Sequence, residues 1–552
     1  MWKYLCWITN TDFVLAALIC ALSVTWLNHR SIGSDIRMIQ VLLFGLVYIC
    51  LRLLLHTRAH KKFEEFIILV LACITLKESL IGLLQIYGRE VSNHELFACT
   101  GSFSNPGPYG GFIAVCSSII VGWLDSCYRS NIFNSNSLFK SEHILDLICL
   151  ITSLISIILA LIVLPATFSR AAILTITVSM TALLLSFEKV KIFVRRFWII
   201  LIPIILLLTI LGYNYKRSSA DGRMLINKIS LQIISKNGIH GVGLGNYIGA
   251  LGMGQEEFFS KEISIQNGNV IIDPSMEKEC MTADIPEYAF NEILKIGVEA
   301  GPISMLLLII LFVISILNLI RSKSVFAYGL ISLLVFSLFS YPLNFISFSL
   351  IFALCLAISA IKTESQKKPI IKHGMAFFCL SLIILCNLSK LKEYYNARKV
   401  WKETNYFFRT KEYGLVERYY SELMPYLNCD GLFLYEYGYS LYKLCEYEKS
   451  DSILKLSAGL SNNPIIYNAM GINYQSVGEY RKAEKMFIKA FILVPNRLYP
   501  LYLLAKLYYE EQDSEKFEII KKSIYAFRPK IESSTTEAYR REIETMQIRT
   551  FK

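Results

Sequence analysis

Apolar residues fall along the first 390 positions in separate runs of about 15 to 24, and an α-helix rising 1.5 Å per residue needs about 20 to cross a hydrocarbon layer. The pattern predicts eleven spans, at about 12–28, 38–56, 65–87, 108–124, 144–165, 171–187, 197–213, 301–320, 325–341, 343–361 and 374–389. No small-residue cleavage site follows the first run, and the membrane pattern resumes within about ten residues. That run is therefore expected to be a retained span rather than a signal peptide. Beyond residue 390 the runs stop, and Tyr, Glu and Lys dominate. The expected fold is all-α: a polytopic transmembrane bundle over 1–390 with a long loop at 214–287, then a water-exposed domain over 391–552.

The exposed domain has its own period. In PIIYNAMGINYQSVGEYRKAEKMFIKAFILVP, from Pro464 to Pro495, Tyr467, Gly471 and Tyr474 fall on one helix, Ala483, Phe487 and Ala490 on the next, and Pro495 ends the unit. These are the offsets of a tetratricopeptide repeat, in which small residues let two antiparallel helices approach and aromatics fill the gap between units. The unit from Gly431 places Leu434, Gly438 and Leu441 likewise, and the next places Leu501, Ala505, Tyr508 and Pro529. A looser unit lies around Trp401 to Tyr426. An α-solenoid is predicted, whose concave surface suits a protein segment; an equal reading is that the array stabilises or dimerises the chain.

Composition sharpens this picture. Charged residues are only 18% and hydrophobic ones 54%, too apolar for a single soluble domain. Lys and Arg gather in alternate short loops: Arg58, Lys61 and Lys62; Arg129 and Lys140; Lys189, Lys191, Arg195 and Arg196; Arg321 and Lys323; Lys362, Lys367, Lys368 and Lys372. Such loops stay cytoplasmic, so the N-terminus is expected inside, and an odd number of spans puts the C-terminal domain outside. Much of the net charge of +12 is accounted for by these loops, and nucleic acid is excluded as a partner. Most of the fourteen cysteines lie in spans, and none shows C-x-x-C spacing, so neither a metal nor another cofactor is expected. Cys99 and Cys280 both fall on the outer side, as free thiols or as a disulfide.

Candidate chemistry collects on that outer side. Arg170 lies at a helix start, where a guanidinium needs an anion or cavity water, or else snorkels to the headgroups. Arg223 opens an amphipathic helix, Met224 to Ile234; the alternative is a solvated loop charge. Lys77 and Glu78 inside the third span, with Gln85 near its outer end, either line a polar funnel or pack that span. The glycines of Gly241 to Gly245 follow no strand, so they are read as a tight turn toward the membrane rather than a nucleotide site, and His240 beside them as a plain loop residue.

The succession GSFSNPGPYGGF, FSRAAIL, DGRMLINKISLQIISKNGIHGVGLGNY and ADIPEYAFNEILKIGVEAG resembles the O-antigen ligase and polymerase family, from roughly Gln85 to Gly301. The tail segments FLYEYGYSL, PNRLYPLYLLAKLY and KIESS resemble its repeat-bearing branch. The resemblance implies a GT-C-like glycosyltransferase of the bacterial inner membrane. It would move a glycan from an undecaprenyl-pyrophosphate carrier to a lipid, glycan or protein acceptor at the periplasmic face, inverting and without metal. Arg170 and Arg223 match the arginines that hold the pyrophosphate, which needs planar, permanently charged donors. Asn105, Gln85 and Asn291 are further candidate substrate contacts. Where related enzymes carry His-Asn, this chain has Phe290-Asn291, and phenylalanine cannot take a proton. A carboxylate is the natural replacement: Glu292 first, with Glu299 two turns along the same helix face and Asp284 and Glu287 preceding. For Glu292 the alternative is a carboxylate stabilising a helix dipole. A transporter or assembly scaffold with a repeat docking domain is the competing class; it explains the spans and repeats but not the arginines and motifs gathered on one face.

Overall fold

The computed structural model describes residues 9–55, 60–130, 144–197, 203, 213–214, 217–361 and 370–547. The membrane part begins with α1 (Asn10–Asn28), α2 (Ile32–Leu55), α3 (His60–Ile86), α4 (Pro106–Arg129) and α5 (Ile144–Ala166). Next come α6 (Arg170–Leu184) and α7 (Glu188–Phe197), bent from one another by 107°. The loop contains α8 (Arg217–Lys236), α9 (Tyr247–Phe259), the hairpin β1 (Ile263–Gln266) and β2 (Asn269–Ile272), and α10 (Glu277–Thr282). The chain then returns through α11 (Glu292–Arg321), α12 (Phe326–Phe339) and α13 (Ile346–Ile361) to α14 (Ile370–Arg409). Among the described residues six helices, α1 to α5 and α11, are long and apolar enough to span a membrane, or seven spans if the bent pair is one. Helices α12 and α13 are apolar but shorter. The expected span at 197–213 lies almost wholly outside the described residues, and the one at 374–389 falls within α14.

A charged pair inside the bundle shows what a low-dielectric interior requires of ionised groups. Arg52 of α2 meets Asp12 of α1 at 3.1 Å, and the Tyr48 hydroxyl donates to the same carboxylate. Cys99 and Cys280 are both buried and both free.

A break in α11 joins the bundle to the loop. Gly301 has φ 80° and ψ 172°, and Pro302 follows. Proline has no N–H for the Val298 carbonyl, and the kink takes the helix partner from Glu299 as well. The glycine turn supplies both: the Val242 N–H donates to Val298 at 3.0 Å and the Gly243 N–H to Glu299 at 2.9 Å. A Cβ on Gly301 would lie 1.8 Å from the Ile239 carbonyl oxygen. The glycines of 241–245 thus form a turn against α11.

After α14 come α15 (Tyr413–Leu427), α16 (Gly431–Lys443), α17 (Tyr447–Ser461), α18 (Pro464–Ser476), α19 (Tyr480–Leu493), α20 (Tyr499–Glu510), α21 (Ser514–Ala526) and α22 (Ser534–Thr545). They pack as successive helix pairs, α14 with α15 through α20 with α21. At Gly471 a Cβ would meet the Phe487 ring at 2.3 Å, so the glycine sets the closeness of α18 to α19.

These pairs are built onto the loop. One buried cluster contains Ile229 and Ile233 of α8, Leu251 of α9, and Phe487, Leu504 and Ile520 of the C-terminal helices. Gln255 donates to the Leu493 carbonyl at 2.6 Å, and the Asn496 amide to the carbonyls of Cys280 and Ala283 at 2.7 and 2.8 Å. Elements in such contact lie on one side of any membrane the bundle crosses.

Candidate active site

Two helix starts and the loop enclose a cleft of about 450 Å³. Asn105 caps α4, accepting the Gly107 N–H at 2.9 Å ahead of Pro106. Ser169 caps α6, accepting the Ala172 N–H at 3.3 Å. Both caps line the cleft, so two helices present their partial positive ends to one space. Arg170, the first residue of α6, is half-buried.

Arg223 enters from α8 and lines the same space. Its guanidinium donates to the Phe339 carbonyl at 3.1 Å and lies 4.7 Å from the centre of the Phe290 ring. Burial, and then the charge of Arg170, hold its pKa below the usual arginine value. The two cations are near enough to repel, which an anion between them relieves. Phe290, at the histidine position of the resembling motif, gives Arg223 a ring face to stack on.

Aromatic rings form another wall. Tyr288 and Tyr341 stack with centroids 4.2 Å apart and planes 8° from parallel, and Phe290 meets Tyr341 edge-on at 5.8 Å. Sequence reading missed Tyr341, Phe339 and Lys530, which join the cleft only through folding.

The carboxylates divide. Asp284 and Glu287 line the cleft; Glu292 and Glu299 do not, and are 1% and 4% exposed. Glu292 accepts the Leu343 N–H at 3.0 Å and pairs with Lys295 at 3.5 Å, fastening the turn that carries Tyr341. Asp284 is taken up by Arg497 at 3.0 Å and Lys530 at 3.9 Å. Glu287 is exposed and accepts no hydrogen bond from another described residue. Burial, and next the Glu287 charge, push the Tyr288 hydroxyl above its ordinary pKa.

The remaining candidates hold the frame. Asn291 caps α11 through the Leu294 N–H at 3.1 Å. Gln85 is buried under the segment before α4, its carbonyl oxygen accepting the Thr100 and Gly101 N–H groups at 2.9 and 2.7 Å. Glu78 accepts from the Ser102 N–H and hydroxyl, while Lys77 is largely exposed. Among the described residues no group of three or more His, Cys, Asp or Glu is placed to hold a metal ion.

An all-α, membrane-like fold, with a cleft lined by Arg223, Lys530, Asp284 and Glu287 beside an aromatic wall, defines a class of multi-pass membrane protein. Residues 155–309, which run from α5 into α11, match the O-antigen ligase family model, and the match supports membership of that family and a membrane glycosyltransferase-like function. No curated protein matches the chain.

Proposed function

We propose that the protein is a periplasmic-face glycosyltransferase of the bacterial inner membrane, using an undecaprenyl-pyrophosphate-linked glycan as donor. The observation that carries this reading is Arg223 in a cleft that the starts of α4 and α6 also line, with Arg170 opening α6 near enough for its charge to act on Arg223. In the reaction an acceptor oxygen attacks the anomeric carbon. The bond from that carbon to the carrier oxygen breaks, and its electron pair leaves with the pyrophosphate. The acceptor proton passes to a cleft carboxylate or to water. Attack opposite the departing group inverts the anomeric centre. The arginines supply the charge stabilisation that a metal provides in other transferases.

Among the carboxylates, Glu287 is the group assigned to receive the acceptor proton, because Asp284 is held by two cations and Glu292 is committed to the 342–344 turn. The stacked tyrosines then offer a sugar ring a face to lie on. The N-terminus is cytoplasmic and the repeats, read as tetratricopeptide units, are periplasmic. The acceptor is a lipid A core, a growing polysaccharide or a protein hydroxyl.

Replacing Arg170 or Arg223 with Ala tests the reading in cells displaying the glycan. Transfer is expected to fall by about 10²- to 10³-fold in each, the cost of removing one preorganised donor. Arg223→Lys is expected to fall nearly as far, since an ammonium cannot both stack on Phe290 and fork between partners. Unchanged glycan attachment and chain length in the Ala variants would sink the transferase assignment.

A further inference from the structure

We propose that the concave face of the C-terminal helices is a glycan-binding track beginning at the rim of the cleft. The inference rests on the transferase reading, since a glycan is then the polymer the protein handles. Tyr435, Tyr439 and Tyr442 recur along α16 at spacings of four and three, which puts their rings on one helix face. Their neighbouring centroids are 6.0 and 5.9 Å apart. On α20 Tyr499 lies 6.1 Å from Tyr502, which is itself buried, stacked on Tyr539 at 4.3 Å and donating to Glu542, so Tyr499 is the half-buried ring of that pair. Helix α18 packs against both α16 and α20, which sets Tyr499 and the α16 rings on neighbouring units of one surface.

Between them lies α18, and Asn468 takes there the place that Tyr435 takes on α16 and Tyr502 on α20. Asn468 is 6% exposed, and its amide oxygen has no hydrogen-bond partner. A buried amide left unpaired is unfavourable unless something else fills it. No hydrogen bond joins the hydroxyls of Tyr435, Tyr439, Tyr442 or Tyr499 to another described residue. The surface is thus a run of half-buried tyrosine rings whose hydroxyls have no partner among the described residues, above one buried, unpaired amide oxygen. A pyranose has the matching surface, an apolar C–H face rimmed by hydroxyls.

The track is continuous with the cleft. Ile285 packs against the cluster holding Tyr435 and Tyr439, while its neighbours Asp284, Pro286, Glu287 and Tyr288 line the cleft. A chain leaving the aromatic wall at Tyr288 therefore meets the tyrosines next. Repeated, nearly equivalent rings suit a polymer of repeating sugars, which must bind in any register. They give a peptide little to recognise, because Lys506 is already paired with Glu542 at 3.3 Å and Lys443 lies over the Tyr442 ring at 4.9 Å.

The test uses the full chain in detergent and, as probe, surface polysaccharide released by mild acid from cells expressing it. Affinity is measured by equilibrium dialysis. The wild type is expected to bind, and Tyr439→Leu with Tyr499→Leu, which keep apolar bulk but remove the rings, are expected to weaken binding together by at least about tenfold. Asn468→Ala is expected to weaken it further, and Tyr439→Phe to retain most of it. Failure of the wild type to bind, equal binding by the Leu pair, or competition by a tryptic peptide mixture overturns the track. Arg170→Ala separates the two readings: it cuts transfer by about 10²- to 10³-fold but keeps polysaccharide binding if both hold. Intact transfer in that variant removes the transferase reading alone, whereas unchanged binding by the Leu pair removes the track alone.

Discussion

Phe290 changes what the cleft asks of its neighbours. A ring 4.7 Å from the Arg223 guanidinium steadies the cation but accepts no proton, so in the proposed transfer the proton goes to another cleft group or to water. Helical spacing correctly places Glu292 and Glu299 on one face of α11, yet both are buried and neither lines the cleft. A sequence period tells which residues share a face, not what that face meets. Glu287 precedes the helix, carries no period and lies in the cleft beside Tyr288. Glu287→Gln is expected to lower the transfer rate by about 10²-fold, at the low end for a general base because pyrophosphate is already a good leaving group. Glu287→Asp should recover part of the rate at higher pH. Full activity in the Gln variant, measured with purified carrier-linked donor, would show that water takes the proton unaided. Motif order singles out Arg223, which lines the cleft, and Arg170, which opens α6 without lining it; Tyr288 and Tyr341 carry no such mark, since their stack joins positions far apart in the chain.

At the scale of elements, hydropathy locates apolar segments well and their breaks poorly. The run at 171–187 ends where α6 gives way to α7 at 107°, and Glu188, Lys189, Lys191, Arg195 and Arg196 make α7 a charged helix where a plain loop was expected. The Asn267-Gly268 pair between Gln266 and Asn269 carries the signal of a tight hairpin, with φ of 49° and 81° at the two positions, and an all-helical reading passes over it. The Gly301-Pro302 pair is the most consequential break, for it frees the two carbonyls on which the 241–245 turn hangs. Gly301→Ala is expected to destabilise the protein by about 3 kcal/mol or more, combining a left-handed φ with a Cβ 1.8 Å from the Ile239 oxygen. Thermal unfolding in detergent, or folded yield where the variant does not accumulate, measures it. A midpoint equal to wild type would mean that the kink is not needed.

For the whole molecule, the repeats and the loop form one body rather than two domains on a tether. The boundary near residue 390 reads from composition as the end of the membrane part, whereas α14 runs unbroken from Ile370 to Arg409 and α9 packs against α17 and α19. What composition cannot convey is that Asn496, more than 200 residues beyond the loop, closes it. Its amide donates to the carbonyls of both Cys280 and Ala283, and Arg497 beside it holds Asp284 at the cleft wall. The repeats are therefore part of the cleft, and disturbing them should be felt there. Asn496→Ala leaves buried carbonyls without their donor, a loss of about 1–3 kcal/mol that falls on the loop and on the entry to α20 together. Hydrogen exchange on the full chain is expected to speed up both in 276–288 and around 494–502, with transfer reduced and membrane insertion unchanged. Faster exchange confined to the repeats, with transfer intact, would mean that the loop keeps its shape alone and the array is only attached to it.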